Sequence, residues 1–307
     1  MYESLVKHEP DSCLYIVAFD ELAFKILSSL NLEKAAIIPL KEFENADLLN
    51  VKGSRNRAEY CWTCTSSVIE YILVKYNVQS CTYLDADLFF YHSPEILLKE
   101  LKNGKTVLIT EHRFSGLARI FEQKRAGRFC VQFITFTNTH NSRAILQKWI
   151  GQCIDWCYSR YEDGKFGDQK YLDPWPDEYP EVQVLENHGG GIAPWNARQY
   201  LFFGREDRIS GTVKNEKDKF DVVFFHFHYV KLLKIGYADL GWNRIPEKVL
   251  DIFYKPYIQK ILNTEKFLEE KYPEYKMTLA NETPSGMKET LKYHFKKTVK
   301  FNLVKLS

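Results

Sequence analysis

The stretch Cys81-Thr-Tyr-Leu-Asp-Ala-Asp-Leu-Phe-Phe-Tyr-His92 is a largely apolar run interrupted by two carboxylates, Asp85 and Asp87, with one residue between them. On an extended chain, residues two apart point to the same side. Two carboxylates so placed repel unless a proton or a cation lies between them. At the end of a buried strand the cation that fits is a hard divalent ion held by oxygen ligands. Such an ion, at the C-terminal edge of a sheet, could hold a diphosphate. The plainer alternative is a strand running into an acidic loop, and the rest of the chain decides between the two.

Upstream, Leu14–Phe19 reads as a buried strand ending at Asp20. Glu21–Leu30 follows with Leu22, Ile26, Leu27 and Leu30 on one helical face. Ala35–Leu40 is a second strand. Strand, helix and strand in this order predict parallel pairing with a right-handed crossover. A basic turn, Lys52-Gly-Ser-Arg-Asn-Arg57, leads into a helix over Ala58–Tyr76. Downstream, Ser93 caps a helix with Pro94 at its first position, and Gly104 closes it. Thr106–Thr110 and Cys130–Thr137 read as strands, and Asn141–Tyr158 as an amphipathic helix.

Two loops rich in Gly, Pro, Asp and Trp then follow, Phe166–Pro176 and Asn187–Asn196, of the kind that carries function. Val222–Tyr229 is a late apolar strand containing His226 and His228. Ile245–Tyr272 is helical with an interruption at Pro256. Lys288–Ser307 mixes Lys with Leu, Phe and Val and holds one acidic residue, Glu289. The pattern predicts an α/β domain with a helical, basic C-terminal extension.

Composition sets outer limits. With 307 residues, 45% hydrophobic, the chain can bury one large core or two unequal ones. A formal net charge of +2 gives no global signature of nucleic-acid binding. Cys61 with Cys64, and Cys153 with Cys157, have spacings seen in zinc sites. Both pairs fall in helical stretches, where a free Cys is a small core residue. Scattered cysteines, a polar opening and no apolar span of 18 residues lead us to expect a cytoplasmic protein.

A metal held by carboxylates needs further ligands. His228, near the end of the late strand, is the leading candidate, because parallel strand ends gather on one edge of a sheet. His226 points to the same side. Lys231 and Lys234 follow, and a lysine beside a departing diphosphate would neutralise its charge. Asp168 and Gln169, in a glycine-flanked loop, offer a carboxylate and an amide to a sugar ring. Asp20 suits either a nucleoside hydroxyl or a helix cap. Lys52, Arg55 and Arg57 suit either a phosphate or open solvent.

Strand 1 ending in Asp20, Tyr-Leu-Asp85-Ala-Asp87-Leu, Gly-Asp168-Gln169-x-x-Leu172 and His228-x5-Lys234 occur in this order. Together they resemble the GT-A-fold glycosyltransferases, in particular the group holding glycogenin and the bacterial lipopolysaccharide galactosyltransferases. The resemblance covers roughly residues 14–235. Bacterial nucleotide-sugar transferases are similar also at Glu59-Tyr-x-Trp62-Thr63 and Ala193-Pro-Trp-Asn196.

The resemblance implies a Rossmann-like domain over residues 1–244, with a mostly parallel central sheet and helices on both faces. The helical extension, 245–307, would suit the surface of an anionic membrane. It implies Mn²⁺ or Mg²⁺ on Asp85, Asp87 and His228, and a nucleotide-diphosphate sugar, a UDP-sugar above others, against Asp20, Lys52, Arg55 and Lys234. Gln132 and Asn196 would meet the donor sugar, with Asp168 and Gln169 at its reacting carbon. The implied reaction is transfer, with retention, to a glycan or lipid-linked acceptor in surface polysaccharide assembly.

The chain departs from the pattern in three places. Lys231 stands where relatives have Gly, Lys234-Ile235-Gly236 replaces Lys-Pro-Trp, and Gln132 stands where Asn is usual. Two other readings share some of these residues. A haloacid-dehalogenase-type phosphatase would use Asp85 as nucleophile. A non-catalytic module would bind the nucleotide-sugar without turnover.

Overall fold

A computed structural model describes the chain except for residues 117–118, 207, 278, 281–289, 292–293, 297, 299–301 and 307. It is a mixed α/β structure. The opening unit is present: Leu14–Ala18 (β1) and Ala35–Pro39 (β2) pair in parallel, Leu14 opposite Ala35, and Glu21–Ser29 (α1) crosses between them. Asp20 caps α1, its carboxylate accepting from Ala23 N–H at 2.8 Å. The long helix Arg57–Lys75 (α2) starts with a reciprocal cap between Asn56 and Glu59, which satisfies two otherwise orphaned N–H groups.

Ser80–Leu84 (β3) and Leu88–Phe90 (β4) flank the two acids, and Val107–Glu111 (β5) follows. Arg119–Ala126 (α3) leads to Phe129–Thr137 (β6), then His140–Asp155 (α4) and Val182–Val184 (β7). The central sheet has the order β3-β6-β5-β7. It is mixed, not mostly parallel. β6 runs against both its neighbours, and only β5 and β7 pair in parallel. The reason lies in residues 112–128. They leave β5 and return at the same edge, Glu111 opposite Phe129, so β6 comes back reversed. As a result β3, β5 and β7 share one direction, and their C-terminal ends open together.

Long helices cover one face only. Ile69 and Leu73 of α2 and Ile145, Leu146 and Trp149 of α4 pack on Val107, Ile109 and Phe136 of the sheet. The opposite face, Leu108 and Phe133, is covered by Leu88 and Phe90 of β4, by Phe224 of Phe224–His226, and by Leu5 of the short helix Tyr2–His8. Helices therefore lie on both faces, long on one and short on the other, where Leu97 of Glu95–Leu98 joins Leu5 beside the two strands.

The late chain forms a meander, Tyr200–Arg205 (β8), Arg208–Val213 (β9) and Lys219–Asp221 (β10), followed by Phe224–His226 (β11), which pairs antiparallel with β4. Lys231–Leu233 (β12) and Tyr237–Asp239 (β13) form a hairpin, and Lys255–Lys271 (α5) follows. Leu303–Lys305 (β14) then pairs with β13. A boundary at residue 244 therefore does not divide the protein. Val249, Phe253, Tyr254 and Ile258 share one core with Ile192, Phe202, Phe225 and Phe227.

The basic tail falls partly outside the described residues. Within them, Lys296 is buried and pairs with Asp239 at 2.5 Å, so it is not offered to a membrane. Among the described residues, no helix is long and apolar enough to cross a membrane. The seven cysteines are free.

Candidate metal centre

The site begins where the backbone changes partners. β3 runs beside β6 to Leu84, opposite Phe133, and Asp85 N–H still donates to Gln132 C=O at 3.0 Å. Two residues later the chain has joined β11. Asp87 C=O accepts from Phe227 N–H at 3.0 Å, and Leu88 lies opposite His226. Asp85-Ala86-Asp87 is thus the joint between the central sheet and the β4–β11 ladder.

The joint collects three donors. A carboxylate oxygen of Asp87 and one ring nitrogen each from His226 and His228 lie within 4.8 Å of one another. His226 Nε2 is 3.0 Å from Asp87 Oδ1 and 3.6 Å from Asp85 Oδ2. Asp85 itself stands outside the group of three, where it accepts from the Tyr83 hydroxyl at 3.0 Å. The sequence placed the histidines at a parallel strand end. They come instead from an antiparallel ladder, and the buried one, His226, supplies the closest contacts to the acids.

His226 is held from behind. Its Nδ1 is 2.7 Å from Oε1 of the fully buried Gln132. An amide oxygen only accepts, so it takes the Nδ1 proton and leaves Nε2 facing the carboxylates. This is how outer residues orient a metal-binding histidine. Gln132 Nε2 has no hydrogen-bond partner among the described residues, so the side chain is set by His226 alone. Gln132→Leu should therefore leave the fold intact and weaken Mn²⁺ binding by about 10–100-fold, as measured by calorimetric titration.

The charges are mutually dependent. Burial disfavours a proton on His226, but Asp87 and Asp85 outweigh it and hold the pKa well above the ordinary histidine value. Partial desolvation, with the charge of His226, lowers His228, which is otherwise open to solvent. Burial raises Asp85, and the charge of Asp87 adds to that. Burial would raise Asp87 too, but His226 prevails and lowers it. A proton on His226 thus occupies the position a cation would take.

The wall is aromatic. Trp195 meets His226 and His228 edge-on, with ring centroids at 5.4 and 5.5 Å, and its indole N–H donates to His112 C=O at 2.8 Å. His112 stacks on Phe114, and burial pushes its pKa down to about 3. It is a neutral ring at physiological pH.

One carboxylate and two imidazoles suit manganese, iron or zinc better than magnesium, which favours an all-oxygen shell. With Gln132 orienting His226, the residues fit a divalent cation.

Asp168 joins the acids from the other side. Gly167 turns the loop at φ +55°, a conformation open to glycine, and Trp149 Nε1 of α4 donates to Asp168 C=O at 2.9 Å. Burial first, and then the charge of Asp85, push the Asp168 pKa up to about 7, against hydrogen bonds from Thr65 and two backbone amides. A carboxyl whose folded pKa is raised contributes stability that is complete below about pH 4 and lost as pH rises through about 7. In chelator, Asp168→Asn should therefore raise the melting temperature more at pH 8 than at pH 5. The full effect is at most about 4 kcal/mol, from roughly 1.4 kcal/mol per pKa unit.

The other expected site residues are placed as follows. Gln169 Nε2 donates to Ala126 C=O at 2.6 Å, which ties it to the end of α3. Arg55 is not a nucleotide ligand here. It is buried, lies over the Tyr158 ring at 3.9 Å and donates to Ile154 C=O at the end of α4. Lys52 pairs with Glu44 at 2.5 Å. Asn196 is also corrected. It is fully buried, its amide nitrogen donating to His112 and Gly191 C=O and its oxygen accepting from Ala193 N–H, so it knots the loop and does not face a ligand. Asp20 pairs with exposed Arg57 at 3.0 Å besides capping α1. Lys234 is exposed at the β12–β13 turn.

The sequence offers His226 as a ligand only beside His228, and Trp195 only within the Ala193-Pro-Trp-Asn196 segment, with no role as a wall. Alternation placed His226 beside His228, and only the pairing with β4 shows which is nearer the acids.

No family profile matches the chain. It is similar to the uncharacterized protein YfnD of Bacillus subtilis (strain 168), 28% identical over 275 residues, covering 88% of this chain and 85% of the relative. It is also similar to the uncharacterized protein YfnF of the same organism, 28% identical over 241 residues, covering 77% and 78% of the two chains. The likeness spans most of each protein and includes the segments that build the joint.

Proposed function

We propose that this protein is a GT-A-type, metal-dependent glycosyltransferase that moves a sugar from a nucleotide diphosphate, a UDP-sugar above others, to a hydroxyl of a glycan or lipid-linked acceptor. One observation carries the reading. Asp87, His226 and His228 bring their donor atoms within 4.8 Å of one another beside the C-terminal end of β3, and the strand–helix–strand unit that opens the chain precedes them.

Asp87, His226 and His228 would hold Mn²⁺. When bound, the ion supplies Lewis-acid stabilisation of the diphosphate leaving group. The chain's own residues do the rest. Gln132 keeps His226 Nε2 turned to the acids. Asp85, steadied by Tyr83, adds a second negative charge behind the ligands. Asp168, buried and with a pKa near neutrality, can exist at pH 7 with or without its proton. It suits stabilisation of positive charge on the sugar, or holding a proton at a sugar hydroxyl. Trp195 closes one side against water. Exposed Asp20, at the end of β1, suits the nucleoside.

The reading would place the protein in surface polysaccharide assembly on the cytoplasmic side. The test is a thermal-shift and product-release screen of nucleotide-sugars with and without Mn²⁺. A melting temperature raised by a UDP-sugar only when Mn²⁺ is present, with slow UDP release, supports it. Release of phosphate from simple phosphomonoesters, with no response to nucleotide-sugars, would replace it by the phosphatase reading, with Asp85 as nucleophile.

A further inference from the structure

The turn Gln169–Leu172 has two sides. Asp168, at its start, feels the charge of Asp85. Lys170, Tyr171 and Asp173 line a cavity of about 440 Å³, a size that takes a small molecule. Gln152 of α4, Tyr161 and Lys124 of α3 complete the walls that matter here.

What each wall can offer depends on what it already does. Lys170 Nζ donates to the Asp173 carboxylate at 2.7 Å and to Gln123 C=O at 3.2 Å, so its charge is answered. The Tyr171 hydroxyl donates to Trp156 C=O at 2.7 Å, which leaves only its ring. Three groups remain. Gln152 Oε1 is buried and has no hydrogen-bond partner among the described residues. Tyr161 is 47% exposed. Lys124 is exposed, with no ion pair among the described residues.

The Gln152 side chain brings an amide to the wall, and an amide pairs with hydroxyls. An open tyrosine ring favours a flat C–H face, and an unpaired ammonium favours an anion. A pyranose ring has C–H faces and a rim of hydroxyls, and an attached carboxylate or phosphate supplies the charge. We propose that this cavity binds a saccharide carrying an anionic group. Under the transferase reading it is a subsite for the acceptor glycan away from the reacting carbon; the binding itself does not depend on that reading.

Isothermal titration in chelator, without nucleotide, tests it on the full chain with four probes: trigalacturonate, glucose 6-phosphate, maltotriose and inorganic phosphate. At least one acidic sugar should bind at least tenfold tighter than both maltotriose and phosphate, and which one tells carboxylate from phosphate. Tyr161→Ala should weaken that sugar at least tenfold. Lys124→Gln should abolish the preference for the acidic sugar and leave maltotriose unchanged. Both residues are exposed, so folding is not at stake. The proposal fails if neither acidic sugar outbinds maltotriose, if phosphate alone binds as tightly, or if either substitution leaves acidic-sugar affinity unchanged. With no metal or nucleotide present, such a failure leaves the Asp87 group untouched. Loss of Mn²⁺-dependent donor binding in turn leaves these titrations untouched.

Discussion

Asp87→Asn should fold like the parent and lose its metal. The carboxylate is the one anionic donor in the group of three, and an amide oxygen carries no charge to offset a divalent ion. Titration with Mn²⁺ in the absence of nucleotide should show at least a hundredfold weaker binding. With a UDP-sugar present, the Mn²⁺-dependent rise in melting temperature should vanish, and turnover should fall by at least about 10²–10³-fold, the scale seen when one charge-stabilising group is removed. The change also removes the anion beside His226 Nε2 at 3.0 Å. The His226 pKa should therefore fall back toward the ordinary value, which the ring-proton shifts in NMR report directly. This second readout separates a lost ligand from a damaged fold, because a misfolded site would not titrate as a single histidine. Mn²⁺ affinity unchanged in the variant would take Asp87 out of the metal shell and with it the proposed function.

Gly189→Ala should be the most destabilising small substitution in the chain's glycine-rich loop. A Cβ there would sit 2.0 Å from Asp221 C=O, a backbone atom that cannot rotate aside. Gly189 C=O in turn accepts from Val223 N–H at 2.9 Å, and Ile192 C=O from His226 N–H at 2.8 Å. The loop is laced to the strand that carries the site, so pushing it off moves His226 as well. We expect a loss of about 3 kcal/mol or more, a fall of about 6 °C in the melting temperature at roughly 2 °C per kcal/mol, and weaker Mn²⁺ binding. Two controls bracket the result. At Gly190 the nearest atoms are the methyl ends of Leu185 and Leu97, at 2.6 and 2.8 Å, which can shift, so Ala should cost less. At Gly151, inside α4, nothing lies within 4 Å, and Ala should stabilise by up to about 1 kcal/mol. Equal melting temperatures for the 189 and 151 variants would contradict the close approach.

The parts of this arrangement that were legible in the sequence are those set by local periodicity. Leu14–Ala18, Glu21–Ser29 and Ala35–Pro39 lie within a residue of their expected bounds, because an apolar run, a helical stripe and a capping Asp20 are each written within a few residues. The pairing of His226 with His228 on one side follows from alternation. What depends on partners far along the chain was not legible. Nothing near Cys130 says that β6 returns reversed, and nothing near Asn196 or Arg55 says that carbonyls from distant segments saturate them. The basic tail read as a helix. Leu303–Lys305 is a strand because β13 has an open edge there, a fact held 64 residues away at Asp239, opposite Leu303.

The joint at Asp85-Ala86-Asp87 has a mechanical consequence. On one side, Asp85 and Gln132 belong to the sheet that carries the α2–α4 core. On the other, Asp87 and His226 belong to the ladder whose strands reach the core around Phe225 and Phe253. The hydrogen bond between Gln132 Oε1 and His226 Nδ1 crosses that seam and acts as a rivet. A cation on Asp87, His226 and His228 is held on the ladder side, and through that one bond its grip on His226 also steadies the ladder against the sheet.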